Sequence, residues 1–433
     1  MNRTSTISFL ALGLAALAGA WVPGAAEGQE TEDWRNLYLD AKPILDIRYR
    51  FEYVDQSGFA SEARANTVRT RAGLETGRFY GLGLVFDVEW IEALGSEKFD
   101  STVNGKTQYP VVADPDDEQV NQLYILSENT IPDTSLKLGR QRIIWDDARF
   151  VGNVGFRQNE QTFDAFRGVV TAIPDTALEY VYLDEVHRIF GTDSPAGDLE
   201  MSGHGLRLQY SGFEPLTITP FALLLDYDAA SQAGLDSQSY GVLLEGSHAL
   251  RDDLRLLYSV SAAYQMDYAD NPANFDLWYY RIEPGIGLGR IKLKAGYEVL
   301  EGDGISAFQT PLATLHKFNG FTDRFLVTPA DGLEDLYLSA DVPLPGEGWL
   351  SDLSVRAGYH QFWAERGSSH YGWEWDAGIF KKIAAGPGNF ELGLQYASYD
   401  ADDFASDTSK LWLTLQFKLE PKPLRSYLRD GGG

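Results

Sequence analysis

The chain contains no cysteine, three methionines and six histidines in 433 residues. Without cysteine there is no thiolate nucleophile, no cysteine metal site and no disulfide framework. His187, His204, His248, His316, His360 and His370 form no H-E-x-x-H pair, and no serine sits in a G-x-S-x-G elbow. Neither a zinc-protease nor a hydrolase signature is therefore present. Basic residues are also short, 36 against 63 acidic, for a net charge of −27, which excludes long-range attraction to nucleic acid or an anionic lipid surface. After the first residues there is no run of about 18 apolar residues, so no later helix is expected to span a bilayer.

The one long apolar run opens the chain. Arg3 precedes "ISFLALGLAALAGAWV", and Gly24, Ala25 and Ala26 follow, the layout of a cleaved secretory signal peptide over residues 1–26. The remainder, 27–433, has no Pro/Ser-rich linker and is expected to be a single domain. It is rich in rings and glycine, with 23 Tyr, 23 Phe, 10 Trp and 43 Gly. Many short strands joined by turns use both, as does a membrane barrel with aromatic girdles.

Alternation supports strands. In "ILDIRYRFEYV", Leu45, Ile47, Tyr49, Phe51 and Tyr53 share one face, and Asp46, Arg48, Arg50 and Glu52 share the other. The pattern recurs in "YGLGLVFDVEW", "LRLLYSVSAAYQ", "LWYYRIEPGIGLG", "IKLKAGYEV" and "LWLTLQFKL". About eighteen such segments lie between Ile44 and Leu419, each long enough for a tilted membrane strand. Mean hydropathy of −0.25 agrees with strands whose second face meets water.

Connections separate a barrel from a sandwich. Short turns such as "ETGRFYG", "AIPDTA", "LGR" and "AAGPGN" alternate with long loops such as "DDARFVGNVGFRQNEQT" and the segment Glu301–Glu334. The expected fold is all-β: a transmembrane antiparallel barrel of about 18 strands with long loops outside the cell, short turns in the periplasm and a short periplasmic C-terminal tail. In "FQTPLATLHKFNGFTDRFL", Thr310 reads as an N-cap and Pro311 as the first residue of a short helix that Asn319 and Gly320 stop. Placed in an outer loop and folded inward, it would constrict the pore with His316, Lys317, Asp323 and Arg324.

Other motifs are weaker. "NGKT" at Asn104–Thr107 lacks the earlier glycine of a phosphate loop, and the acidic tracts "ADPDDEQ" and "DADDFASD" lack calcium-loop spacing and read as solvated charge. Arginines carry more. Arg48, Arg50, Arg69 and Arg71 crowd one wall on the non-lipid face, and Arg140, Arg142 and Arg167 continue from it. Such a row suits an anionic solute, and it equally suits pairing with Asp46, Glu52, Glu75, Asp87, Glu89 and Asp164 to brace the wall. Both readings stay open at this point.

Three segments carry a family resemblance: "LGRQRIIWDDARFVGNVGFRQNEQTFDAFRG" (138–168), "YLDEVHRIFG" (182–191) and "GYEVLEGDGISAFQTPLATLHKFNGFTDRFLVTPADGLEDLY" (296–337). In these the chain resembles the alginate export family of bacterial outer-membrane porins. The resemblance implies a monomeric eighteen-stranded barrel in the outer membrane that passes an anionic polysaccharide or a related small anionic solute, with membrane lipid around it and periplasmic export proteins as candidate partners. The expectation is a passive channel with no catalytic residue, cofactor, metal or nucleic-acid partner. Two rivals are a general or nutrient-uptake porin with little selectivity and a barrel enzyme acting on lipid.

Overall fold

The computed structural model describes residues 33–348 and 351–426; the expected leader, 1–26, lies outside them. Alternating side chains commit the backbone to long, paired strands. In chain order these are β1 (Lys42–Gln56), β2 (Ala63–Glu75), β3 (Leu82–Ala93), β4 (Asp117–Glu128), β5 (Thr134–Gln141) and β6 (Thr162–Val170). There follow β7 (Thr176–His187), β8 (Asp198–Phe213), β9 (Leu216–Leu225), β10 (Ser237–Arg251), β11 (Leu254–Asp267) and β12 (Asp276–Leu288). The last six are β13 (Ile291–Leu300), β14 (Leu333–Pro343), β15 (Leu353–Trp363), β16 (His370–Ala385), β17 (Gly388–Ala401) and β18 (Thr408–Leu419).

Each strand pairs antiparallel with its neighbours in sequence, and β18 returns to β1 from Asp46↔Lys418 to Gln56↔Thr408. The sheet is an 18-stranded closed barrel with no free edge. One end carries tight connections such as 252–253 and 289–290, and the other carries the loops 94–116, 142–161 and 301–332. At the tight end the C-terminal tail folds back, and the Leu424 N–H donates to the Ala41 carbonyl at 2.9 Å.

The outer face is as alternation predicts. Leu82, Leu84, Phe86 and Trp90 are exposed while Asp87 and Glu89, between them, are buried inside. The inner face departs from a wholly water-facing lumen. Val181, Leu183, Phe221, Leu223, Leu277 and Tyr279 point inward, yet they are buried in the largest apolar cluster of the described residues. The loops 142–161 and 301–332 fold into the barrel and cover them: Phe150 packs on Phe221 with ring centroids 4.4 Å apart, and Phe308 packs on Tyr279 at 5.5 Å. Full burial of Phe308 contributes about 1.5–3 kcal/mol toward holding its loop inside, and the partly buried Phe150 contributes less.

The expected helix from Thr310 shrinks to one 3₁₀ turn, Leu315–Lys317. Its backbone groups are taken by the neighbouring loop. The Leu312 carbonyl accepts from the Gly152 N–H at 2.8 Å and the Gln161 side chain at 2.9 Å, and the Thr314 N–H donates to the Ala148 carbonyl at 3.0 Å. Thr310 caps nothing; its hydroxyl lies 3.3 Å from Arg149 Nη1.

Candidate functional site: the lumen and the loops that cross it

Strand alternation puts Arg48, Arg50, Arg69 and Arg71 on the inner wall, where the segment 152–161 runs past them. Arg48 spends its fork on main chain: Nη1 donates to the carbonyls of Gly155, Phe156 and Arg157 at 3.0–3.1 Å, and Nε donates to Gln416 at 3.3 Å. Arg69 pairs with Asp46 at 2.8 Å, and Arg71 with Glu89 at 2.7 Å and Glu160 at 3.1 Å. Arg142 also grips Glu160, whose carboxylate further accepts from Asn121 at 2.8 Å and Asn153 at 2.9 Å. Burial alone would raise the Glu160 pKa, but Arg71 and Arg142 outweigh it and hold the carboxyl well below the ordinary carboxylate range. Arg167 pairs with Glu179 at 2.7 Å on the inner wall of β6 and β7.

Five of the seven arginines are therefore committed to carboxylates: Arg69, Arg71, Arg140, Arg142 and Arg167. Arg48 and Arg50 differ. No carboxylate lies within 4.0 Å of Arg48 among the described ion pairs, and the nearest to Arg50 is Asp114 at 4.0 Å. Arg50 instead lies over the Phe156 ring, 4.2 Å from its centroid, and its Nε and Nη1 have no hydrogen-bond partner.

Arg140 is not on the pore wall. It registers with Leu123 and Asp164 and shares the parity of Leu136 and Leu138, so it lies on the outer face, bonded to both Asp164 oxygens at 2.9 and 3.1 Å. The acidic tract at 113–119 is also not simply solvated: Asp114 is buried and accepts from the Gln158 N–H at 2.9 Å.

The two inward loops meet mid-barrel. His316 stacks on Phe156 with centroids 3.6 Å apart and meets the Trp412 ring edge-on at 5.9 Å. Burial lowers the His316 pKa against the opposing pull of Asp323, to which its Nδ1–H donates at 2.7 Å. Asp323 also pairs with Lys410 at 3.0 Å and Arg157 at 3.4 Å, and Arg157 binds Glu52 at 2.8 Å. Burial would raise the Asp323 pKa, but His316, Lys410 and Arg157 together hold it well below the ordinary range. Lys317 stays exposed and donates to the Asp147 carbonyl at 2.7 Å; Arg324 is half-buried. Pro311 opens the turn that precedes the 3₁₀ segment.

Beneath this crossing, toward the short-turn end, lie two cavities that share Lys317, Phe321 and Arg356. The larger, about 630 Å³, is bounded by Arg48, Arg50, Arg356, Lys381, Lys382 and Lys418, with Asp352 and Glu391 as its acids. The second, about 380 Å³, mixes Arg281, Lys292 and Lys294 with Glu245, Glu283 and Glu298. Sequence reading missed Arg356, Lys382 and Lys418, although each lies at an inward position near the start or end of its strand.

Fold and interior together define a class: closed eighteen-stranded antiparallel barrels narrowed by loops folded into the lumen. No family model matches the chain, and no curated protein matches it in sequence. Solved structures match in fold. Pseudomonas aeruginosa OpdK, solved with vanillate, is similar at a TM-score of 0.69 and 16% identity, over 88% of this chain and 99% of that one. Pseudomonas aeruginosa OccK9 (OpdG) gives 0.69 and 18%, over 89% and 100%. Acinetobacter baumannii OccAB2 gives 0.67 and 15%, over 89% and 100%.

Proposed function

We propose that the chain is a passive channel of the bacterial outer membrane for small anionic solutes. The observation that carries this reading is the larger cavity: buried Arg48, with no carboxylate within 4.0 Å among the described ion pairs, and buried Arg50, whose nearest is Asp114 at 4.0 Å, share it with the inward Arg356, Lys382 and Lys418. Arg356 and Lys418 pair there with Asp341 at 3.6 Å and Glu391 at 3.2 Å, exposed pairs of little net strength that a solute anion can exchange, while Arg48 and Arg50 add positive charge behind them. The barrel of similar fold solved with vanillate, itself a small carboxylate, agrees in solute class.

The alginate-export reading drew its support from sequence resemblance. Against it stands the crossing of the two loops, where Phe156, His316 and Trp412 are packed ring to ring. A polysaccharide strand would have to part these contacts along its whole length, whereas a small anion needs one transient gap. The second reading, a general porin with little selectivity, is favoured by the many interior ion pairs, since Arg69, Arg71, Arg142 and Arg167 are neutralised in place.

Reversal potentials in planar bilayers under a salt gradient separate the two. The anion-channel reading expects a potential of the anionic sign, moved toward zero or reversed by Arg356→Glu with Lys382→Glu, two exposed cavity positions. A potential near zero that the double variant leaves unchanged supports the unselective porin.

A further inference from the structure

A second cluster of charged groups lies outside the lumen, at the long-loop rim of β6, β7 and β8. In β7, Val181 and Leu183 face inward, and unbroken alternation would send Glu185 and His187 inward as well. The register shifts at this point: Leu183 faces Ala165 and Gly203, while Glu185 faces Asp164 and Glu200, with Asp184 as the extra residue. This bulge turns Glu185 and His187 to the outer face, beside Asp164. One ligand atom from each of Asp164, Glu185 and His187 lies within 4.8 Å of the others.

His187 is 2% exposed, and its two nitrogens have distinct surroundings. Nδ1 lies 2.7 Å from Asp198 Oδ1, which fixes the proton on that nitrogen. Nε2 has no well-aligned hydrogen bond and lies between Asp164 Oδ2 at 3.2 Å and Glu185 Oε2 at 3.5 Å; on a neutral ring it carries the lone pair. Two carboxylates converging on a buried ring nitrogen call for a cation among them, either a proton on Nε2 or a metal ion bound by its lone pair. Arg140 offsets one of the three acids, and a carboxylate that accepts its fork still has lone pairs to offer.

We infer that Asp164, Glu185 and His187 form a divalent-metal site on the outer wall of the barrel, with Asp198 orienting the imidazole. Two carboxylates and one imidazole suit a borderline ion such as Zn²⁺. Bonds of about 2.0–2.2 Å in tetrahedral geometry place neighbouring donor atoms about 3.4 Å apart. The two edges through Nε2, 3.2 and 3.5 Å, already stand at that spacing. The carboxylate–histidine–metal chain ending on Asp198 is the usual way of presenting Nε2 to an ion. The site stands independently of what passes through the lumen.

The test is calorimetric titration of the full chain, purified folded in detergent and stripped with chelator, using Zn²⁺ alone. One saturable site per chain is expected, abolished by His187→Gln and by Glu185→Gln, and weakened about 10- to 100-fold by Asp198→Asn. Glu185 makes no described hydrogen bond, so its variant keeps the barrel, checked by heat-modifiable gel mobility. X-ray absorption of the bound zinc should show one nitrogen among oxygen donors. Absence of a saturable site, or equal affinity in the wild type and both ligand variants, overturns the inference and leaves His187 as a protonated brace among its acids.

Discussion

At the scale of single residues, charge told less than parity. Arg48, Arg50, Arg69 and Arg71 were assigned to the inner wall because they alternate with Ile47, Tyr49, Val68 and Thr70, and the structure keeps them there. Arg140 was grouped with them by charge, although its parity with Leu136 and Leu138 already pointed outward. Whether an inner arginine meets solute or acid was not legible, because its partner, such as Glu160, comes from a distant loop. Glu160→Gln should leave Arg71 and Arg142 underpaired in a buried place, at a cost of about 3–5 kcal/mol, and free the segment 152–161. Larger single-channel conductance would record this; unchanged conductance would contradict it. Both Glu160 and Asp323 have depressed pKa values, so their stabilisation is full above the unfolded carboxylate range and is lost only as pH falls through the lower folded values. These two carboxylate pairs should therefore persist through mild acid near pH 4, whereas His316, whose pKa burial lowers, loses stabilisation as pH falls below the ordinary histidine range; a conductance rise between pH 6 and 4 that persists in His316→Gln would count against the carboxylate pairing.

At the scale of elements, strands were readable and loops were not. Two-residue alternation marks a strand whatever it packs against, whereas a loop takes its shape from whichever groups satisfy its backbone. The segment after Thr310 has helical spacing of Leu312, Leu315 and Phe318, yet the Leu312 carbonyl is claimed by Gly152 and Gln161. Close approach of the two loops depends on Gly152, where an added Cβ would stand 2.2 Å from Thr314 Oγ1 and 2.8 Å from the Ala148 Cβ. Gly152→Val should part the loops at about 1–3 kcal/mol and give larger, noisier openings in single-channel recordings. Recordings identical to wild type would mean that the contact does not narrow the path. The bulge at Asp184 was equally hidden, since one inserted residue reverses parity without leaving a signature in composition.

At the scale of the whole molecule, strand number, closure and the alternation of short and long connections followed from the sequence, because each reflects a repeated local pattern. The partly apolar interior did not, because Phe221, Leu223 and Leu277 read as ordinary strand residues until the loops that bury them are known. The result is a barrel whose long-loop half is packed and whose short-turn half holds a basic chamber of about 630 Å³. Its central claim is passage of small anions through that chamber. Swelling of proteoliposomes containing the full chain tests it most directly, comparing benzoate with an uncharged aromatic alcohol of equal size and with an oligouronate. The account predicts faster entry of benzoate than of the alcohol and exclusion of the oligouronate; equal entry of benzoate and alcohol, or ready passage of the oligouronate, would contradict it.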